Sequence, residues 1–202
     1  MRLAVCSITH HSVHSVDMVR RHVLDWRLQI DKRFHLFLCH DGPIEGREDR
    51  VSLEDIDWGD QASFVIYPER RRFWGAYCRQ EWLHDLDPEK YPFVFFCCAD
   101  DQICPKFVEI VLQNFTPELD AVMFPIQHHH YNYAQIPMGT GPYVNRADWA
   151  SGILRTSVAK AANINFPEEY AADGLFWQDC LRVSGGDERR FKIISSSLVF
   201  KN

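Results

Sequence analysis

The sequence predicts an α/β protein with a mostly parallel central sheet flanked by helices. Strand-like and helix-like segments alternate along the chain, as they do where parallel strands are joined by helical crossovers. The run Phe93 to Cys98 is apolar at every position, as a strand covered on both faces should be. Acidic residues, Asp41 and then Asp100-Asp101, stand just past the ends of two strand-like runs, where open α/β sheets collect their ligands.

Each element has its own signal. Leu3 to Thr9 reads as the first strand. Val16, Val19, Val23, Trp26 and Ile30 recur at helical spacing behind Ser15, a side chain suited to capping, and predict a helix over Val16 to Ile30. A second strand, Phe34 to Cys39, ends in His40-Asp41-Gly42-Pro43, and a polar stretch to Gln61 reads as loop and turn. Ser63 to Tyr67 is the third strand, and Trp74 to Leu86 a helix with Cys78, Trp82 and Leu86 on one face. After Phe93 to Cys98, Pro105 opens a short helix with Phe107, Ile110 and Val111 inward. Ala121 to Ile126 reads as a strand leading into Gln127-His128-His129-His130, and Tyr131 to Tyr143 as an irregular, mobile loop. Helices are expected at Ser157 to Asn163 and Gly174 to Val183, and a last strand at Lys192 to Phe200.

At 202 residues the chain suits one domain, 1–202, long enough to bury a core. Its 46% hydrophobic and 25% charged content places it among soluble globular proteins. A net charge of −6 argues against a protein that coats nucleic acid, although Arg70-Arg71-Arg72-Phe73-Trp74 forms a local basic and aromatic strip. The seven cysteines include no CxxC pair, and Cys97 and Cys98 sit inside an apolar run as small hydrophobes. This pattern favours a reducing compartment. With no leader pattern at Met1-Arg2-Leu3-Ala4-Val5 and no run long enough to span a bilayer, the expectation is a cytoplasmic protein without a membrane span.

The candidate chemistry lies at the strand ends. Asp41 can accept hydrogen bonds from a nucleobase or ribose, or simply close the turn with Gly42 and Pro43. Asp100 and Asp101 repel each other at the tip of an apolar strand, and a hard divalent cation would relieve that repulsion. The alternative is that they favour the dipole of the Pro105 helix. Gly75 permits close backbone approach, and Arg79, four residues on, can bind phosphate. Asp173 suits either an N-cap or a general base. Three consecutive histidines cannot all bind one ion from a strand, so His128-His129-His130 reads as a loop-edge cluster.

Taken in order, these pieces resemble glycosyltransferase family 2 of the GT-A fold, a Rossmann-like, SpsA-type nucleotide-diphospho-sugar transferase architecture. The resemblance runs through Cys6-Ser7-Ile8-Thr9, Asp41, Gly75-Ala76-Tyr77-Cys78-Arg79-Gln80 and Cys98-Ala99-Asp100-Asp101 followed by Pro105. It continues through Trp149-Ala150-Ser151-Gly152-Ile153-Leu154-Arg155 and Phe166-Pro167-Glu168-Glu169-Tyr170 followed by Asp173 and Phe176-Trp177, and so covers nearly the whole chain. Two positions depart from the family pattern: Cys98 stands where the first acid of the metal motif is expected, and Ala172 where a Glu commonly precedes the catalytic Asp.

The resemblance implies an inverting hexosyl transfer from a nucleoside-diphosphate sugar, with uridine as the base. It divides the chain into a nucleotide-sugar-binding half, 1–104, and an acceptor-binding half, 105–202. It assigns Thr9, Asp41, Gly75, Arg79 and Asp100 to the donor, Asp100 and Asp101 to Mn²⁺ or Mg²⁺, and Asp173 to the acceptor proton. The acceptor is a glycan or, as a secondary possibility, a hydroxylated base of a nucleic acid. The rival readings are a non-catalytic sugar-nucleotide-binding module, favoured by Cys98 and Ala172, and a metal-dependent phosphoester hydrolase using Asp100, Asp101 and His128 or His130.

Overall fold

The computed structural model describes residues 2–44, 53, 55–71, 75–128, 139–162, 164 and 171–201. In chain order the strands are β1 (Leu3–Thr9), β2 (Phe34–His40), β3 (Ala62–Ile66), β4 (Phe93–Cys98), β5 (Gln102–Ile103), β6 (Ala121–Met123), β7 (Ile126–His128), β8 (Gly152–Arg155), β9 (Phe191–Ile193) and β10 (Val199–Lys201). The helices are α1 (Val16–Arg27), α2 (Ala76–Asp85), α3 (Phe107–Asn114), α4 (Thr156–Ala161) and α5 (Ala172–Val183).

Seven strands form one sheet in the order β3-β2-β1-β4-β8-β6-β9. It is mostly parallel, with β8 antiparallel to both of its neighbours. A second, three-stranded sheet has the order β5-β10-β7. The expected α/β class with a mostly parallel sheet is therefore the observed one.

The period-two alternation of strand side chains divides the core in two. Leu3, Val5, Phe93, Phe95 and Cys97 face one way and pack with Val19, Val23 and Trp26 of α1 and Phe107, Val108 and Val111 of α3. Ala4, Cys6, Ile8, Val94 and Phe96 face the other way, toward Ala76, Cys78 and Trp82 of α2 and Phe176, Trp177 and Cys180 of α5. Trp26 anchors the first layer: its ring centroid lies 5.3 Å from that of Phe34 and 5.6 Å from that of Phe107.

Several boundaries differ from expectation, each for a local reason. The Ser15 hydroxyl caps α1 as expected, accepting from Met18 N. The helix nevertheless ends at Arg27, because the Ile30 amide is taken by the Pro105 carbonyl at 2.9 Å and the Ile30 side chain points outward. The run Ala121 to Ile126 splits at Pro125, which has no N–H for a ladder, so β6 joins the main sheet and β7 the small one. The run Lys192 to Phe200 likewise divides at Ser195-Ser196-Ser197 into β9 and β10. The helices expected at Ser157 to Asn163 and Gly174 to Val183 are α4 and α5. Among the described residues no helix is long and apolar enough to cross a membrane.

Gly152 opens β8 where it crosses close to β6. A Cβ there would lie 2.6 Å from the Val122 carbonyl oxygen and 2.9 Å from Met123 Cα, both rigid backbone atoms. Gly152→Val is expected to lower stability by about 2 kcal/mol and the melting temperature by roughly 4–8 °C. A thermal melt matching wild type would contradict this packing.

Candidate active site

Strand register brings the carboxyl ends of β1, β2 and β4 together: Thr9 pairs with His40 and Ile8 with Cys98. The chain turns sharply after β4. The Asp101 amide donates to the Cys98 carbonyl at 3.1 Å, and Asp101 Oδ2 accepts from the Cys98 amide at 2.8 Å. Asp101 is thereby drawn inside the protein while Asp100 stays partly open. The other Asp101 oxygen, Oδ1, is buried without a hydrogen-bond partner and faces Lys201 Nζ at 3.9 Å. Burial pushes the Asp101 carboxyl up, Lys201 pulls it back and Asp100 adds repulsion, leaving it at about 6.

Asp100 Oδ1 lies 3.6 Å from His14 Nε2. His14 Nδ1 accepts from the His10 amide at 3.4 Å and contacts Thr9 Oγ1 at 3.3 Å. Thr9, His14 and Asp100 therefore form one chain from the tip of β1 to the tip of β4. Burial alone would raise the Asp100 carboxyl, but His14 and Lys201 hold it below the ordinary range. Two adjacent acids thus have opposite shifts, set by depth and company.

Lys201, the last residue of β10, supplies the counter-charge. Its ammonium binds Asp148 Oδ1 at 2.7 Å. Burial opposes that positive charge, but Asp101 and Asp148 hold the amine firmly protonated. Asp148 is in turn kept below its usual value by Lys201, against the effect of burial. Asp173 stands in the first turn of α5, inside the helix rather than at its cap, which is Ala171. Its Oδ1 accepts from the Gly174 amide at 2.7 Å. Burial pushes the Asp173 carboxyl up to about 6, and the nearby Asp148 charge adds to the effect.

Arg79 projects from α2 and is fully buried, donating to the Cys97 carbonyl at 3.1 Å and lying 3.2 Å from Cys98 Sγ, with its guanidinium 4.8 Å over the Trp149 ring. Gly75 caps the same helix with φ +75°, and a Cβ there would strike Ile8 Cγ2 at 2.5 Å, so a close helix–strand approach explains this glycine. Asp41 Oδ1 accepts from the Arg71 amide at 2.9 Å and from Cys78 Sγ at 3.3 Å. Beside it His10, His11 and His40 stack with ring centroids 4.3–5.4 Å apart. Thr9, Asp41, Gly75, Arg79, Asp100 and Asp101 thus share one end of the sheet, and electrostatic coupling through Asp148 and Lys201 ties Asp173 to them. A basic concavity lined by Arg2, Lys32, Arg33 and Lys90 lies at the other, amino-terminal end of the strands.

Some expectations fall elsewhere. His128 ends β7, while His129, His130, the segment 131–138, Phe166 to Tyr170 and the Arg72-Phe73-Trp74 part of the basic strip lie outside the described residues.

The residues present fit a divalent cation. Ligand atoms of Cys98, Asp100 and Asp101 lie within 4.8 Å of one another. Burial pushes the Cys98 thiol up to about 11, so it is neutral at pH 7 and a poor partner for a hard ion. The two carboxylates are the hard donors, and the orphaned Asp101 oxygen is one of them.

No protein-family model matches the sequence, and no curated protein matches it by sequence. Solved structures resemble it closely in shape. Staphylococcus aureus TarS superposes with a TM-score of 0.69 at 15% identity, over 100% of this chain and 37% of TarS. TarS 1-349 in complex with UDP-GlcNAc gives 0.72 at 14% identity, over 99% of this chain and 58% of that one. The mannosyltransferase PcManGT from Pyrobaculum calidifontis, in complex with GDP-Man and Mn²⁺, gives 0.68 at 12% identity, over 99% and 56%. The fold is therefore that of GT-A-like glycosyltransferases, and the chain spans between 37% and 60% of the length of these TarS and PcManGT chains.

The sequence reading missed His14, Asp148 and Lys201. His14 sits beside a helix cap. Asp148 reads as a turn residue, and its Oδ1 does accept from the Ala150 amide at 2.9 Å. Lys201 closes the short run Leu198-Val199-Phe200, and in sequence a lysine there signals solvent. Only the pairing of β10 with β7 and β5 turns it inward.

Lys201→Met leaves Asp101 and Asp148 without their shared cation and is expected to destabilise the fold by about 3 kcal/mol at pH 7. The loss shrinks at pH 4 as the carboxyls take up protons; equal urea midpoints for mutant and wild type at pH 7 would refute it. For Asp173 the folded state binds its proton more tightly than the unfolded chain, whose Asp titrates near 3.9. Its contribution is therefore favourable at low pH and lost as pH rises from about 4 to about 6. Asp173→Asn is expected to raise the melting temperature at pH 7 and leave it unchanged at pH 4. A mutant no more stable than wild type at pH 7 would contradict this burial.

Proposed function

We propose that the protein is a metal-assisted, inverting glycosyltransferase that moves a hexosyl group from a uridine diphosphate sugar to a hydroxyl of a glycan acceptor. The observation that carries this reading is the convergence of the Asp100 and Asp101 ligand oxygens at the tip of central strand β4, in a chain with a GT-A-like glycosyltransferase fold. Thr9 and Asp41, at the ends of β1 and β2, hold the nucleoside. Arg79 contributes positive potential beneath the diphosphate from its buried position. Asp100 and Asp101 would hold Mn²⁺ or Mg²⁺, which when bound would supply Lewis-acid stabilisation of the charge on the departing diphosphate.

Asp173 acts as general base. Its carboxylate takes the acceptor O–H proton as that oxygen bonds to the anomeric carbon, while the bond from that carbon to the diphosphate oxygen breaks and its electron pair leaves with the nucleotide. A carboxyl at about 6 is ionised at pH 7 and still a stronger base than an ordinary Asp. Activity should therefore rise with pH through about 6 and then level off, and Asp173→Asn should lower kcat by at least about a hundredfold. An Asp173→Asn enzyme with wild-type kcat would remove it from this role.

The donor site is tested by thermal shift with nucleoside diphosphates and their sugars, with and without Mn²⁺. A ligand at a hundred times its Kd stabilises the folded state by about 2.7 kcal/mol. UDP with Mn²⁺ is expected to raise the melting temperature of wild type but not of Asp100→Ala. No shift with any nucleotide would overturn the reading, and a shift without sugar transfer to any glycan would favour a binding module instead.

A further inference from the structure

Helix α1 and the turn that follows it carry three polar side chains on the face that packs into the core. His22 and Gln29 are buried and Asp25 is half-buried, interleaved with the core residues Val19, Val23 and Trp26. Positions 22, 25 and 29 share one face of the helical track, Gln29 lying just past the last turn of α1. All three reach the stretch that follows β4. His22 Nδ1 pairs with the Asp101 carbonyl oxygen at 2.7 Å. Asp25 Oδ2 accepts from the Ile103 amide at 3.1 Å. Gln29 Nε2 donates to the Cys104 carbonyl at 2.8 Å, and its Oε1 accepts from the Val108 amide at 3.2 Å.

The His22 tautomer follows from its partners. The Trp26 indole N–H lies 3.1 Å from Nε2 and can only donate. Nε2 is therefore the acceptor, with the Ser7 hydroxyl as its second donor at 2.9 Å, and the ring proton sits on Nδ1, aimed at Asp101. The imidazole is locked from one side by β1 and its own helix and grips the metal-motif turn from the other. A segment that leaves the main sheet loses its ladder partners, and unpaired backbone groups inside a protein are costly. The stripe answers four of them between residues 101 and 108.

We propose that His22, Asp25 and Gln29 form a positioning stripe, with His22 its principal member, that fixes the Asp100-Asp101 turn for cation binding. The proposal rests on the reading of Asp100 and Asp101 as the cation site. His22→Ala is expected to weaken Mn²⁺ binding, measured in the presence of UDP, by about 10- to 100-fold, as loss of a partner that orients a metal site does. It should also speed amide hydrogen exchange across residues 100–104. His22→Asn keeps an N–H donor at the δ position and should recover most of both. Asp25→Ala, at a less buried position, gives a smaller loss in the same direction and serves if His22→Ala does not fold. Val111→Ala, in the α3 core, should lower the melting temperature and leave both readouts unchanged.

Wild-type Mn²⁺ affinity and exchange in His22→Ala would overturn the proposal, as would an equal weakening in Val111→Ala. Failure of the unmodified protein to bind Mn²⁺ would instead sink the cation-site reading, and exchange would then decide alone. Faster exchange confined to 100–104 would sustain the positioning role, and wild-type exchange there would end it.

Discussion

Asp100, Asp101, Asp148 and Asp173 stand close enough to shift one another's protonation, and much of the local architecture answers that repulsion. Lys201 is inserted between Asp148 and Asp101. His14 is drawn to Asp100, and Arg79 is buried below. The ammonium and the guanidinium offset the repulsion only in part. Asp101 and Asp173 are both pushed to about 6, because burial and a neighbouring carboxylate outweigh the positive charges nearby. The small sheet makes sense in this light. Strand β10 is only three residues long, yet it delivers the ammonium that offsets the negative charge of the cluster.

The same arrangement separates stability from chemistry. A folded state that raises the proton affinity of two carboxyls is weakened at neutral pH relative to one that leaves them exposed. Such strain belongs at sites where a base of raised strength or a cation is required. Asp100 and Asp101 differ in setting: the first stays partly open with its carboxyl held below the ordinary range, and the buried second ties the turn to the Cys98 amide. Their separation depends on the tight turn after β4, which depends in turn on β4 being apolar enough to run unbroken between β1 and β8.

Much of this was legible in the residues. The α/β class followed from alternation, and the depth of β4 from its unbroken apolar run, because both are local patterns. Asp41, Arg79, Asp100 and Asp101 stood out because each lies at or near the end of a strand or on the helix that follows one. Lys201 and Asp148 did not. The two are 53 residues apart in the chain, and each has a satisfactory local explanation, a solvent-facing lysine and a turn aspartate. The split of Ala121 to Ile126 into two sheets was equally hidden: Pro125 announces a break, but where the chain goes afterwards is decided by β10 and β8. His22 shows the limit most clearly, since it occupies a core position of an amphipathic helix and only the fold supplies the Asp101 carbonyl it binds.

Cys98 changes the electrostatics in a way that an acid at this position would not. Its thiol lies against the Arg79 guanidinium at 3.2 Å, where an aspartate would form a buried ion pair and neutralise it. With the thiol held neutral by burial, the positive charge of Arg79 is left to act over a longer range. It lowers the proton affinity of both Asp148 and Asp173. Compared with an acid at the same position, the cysteine carries one negative charge fewer and leaves the buried arginine to act on Asp148 and on Asp173 at the start of α5. Relative to an acid at this position, the thiol leaves the neighbouring carboxylates with less mutual repulsion and the buried guanidinium with more of its positive potential.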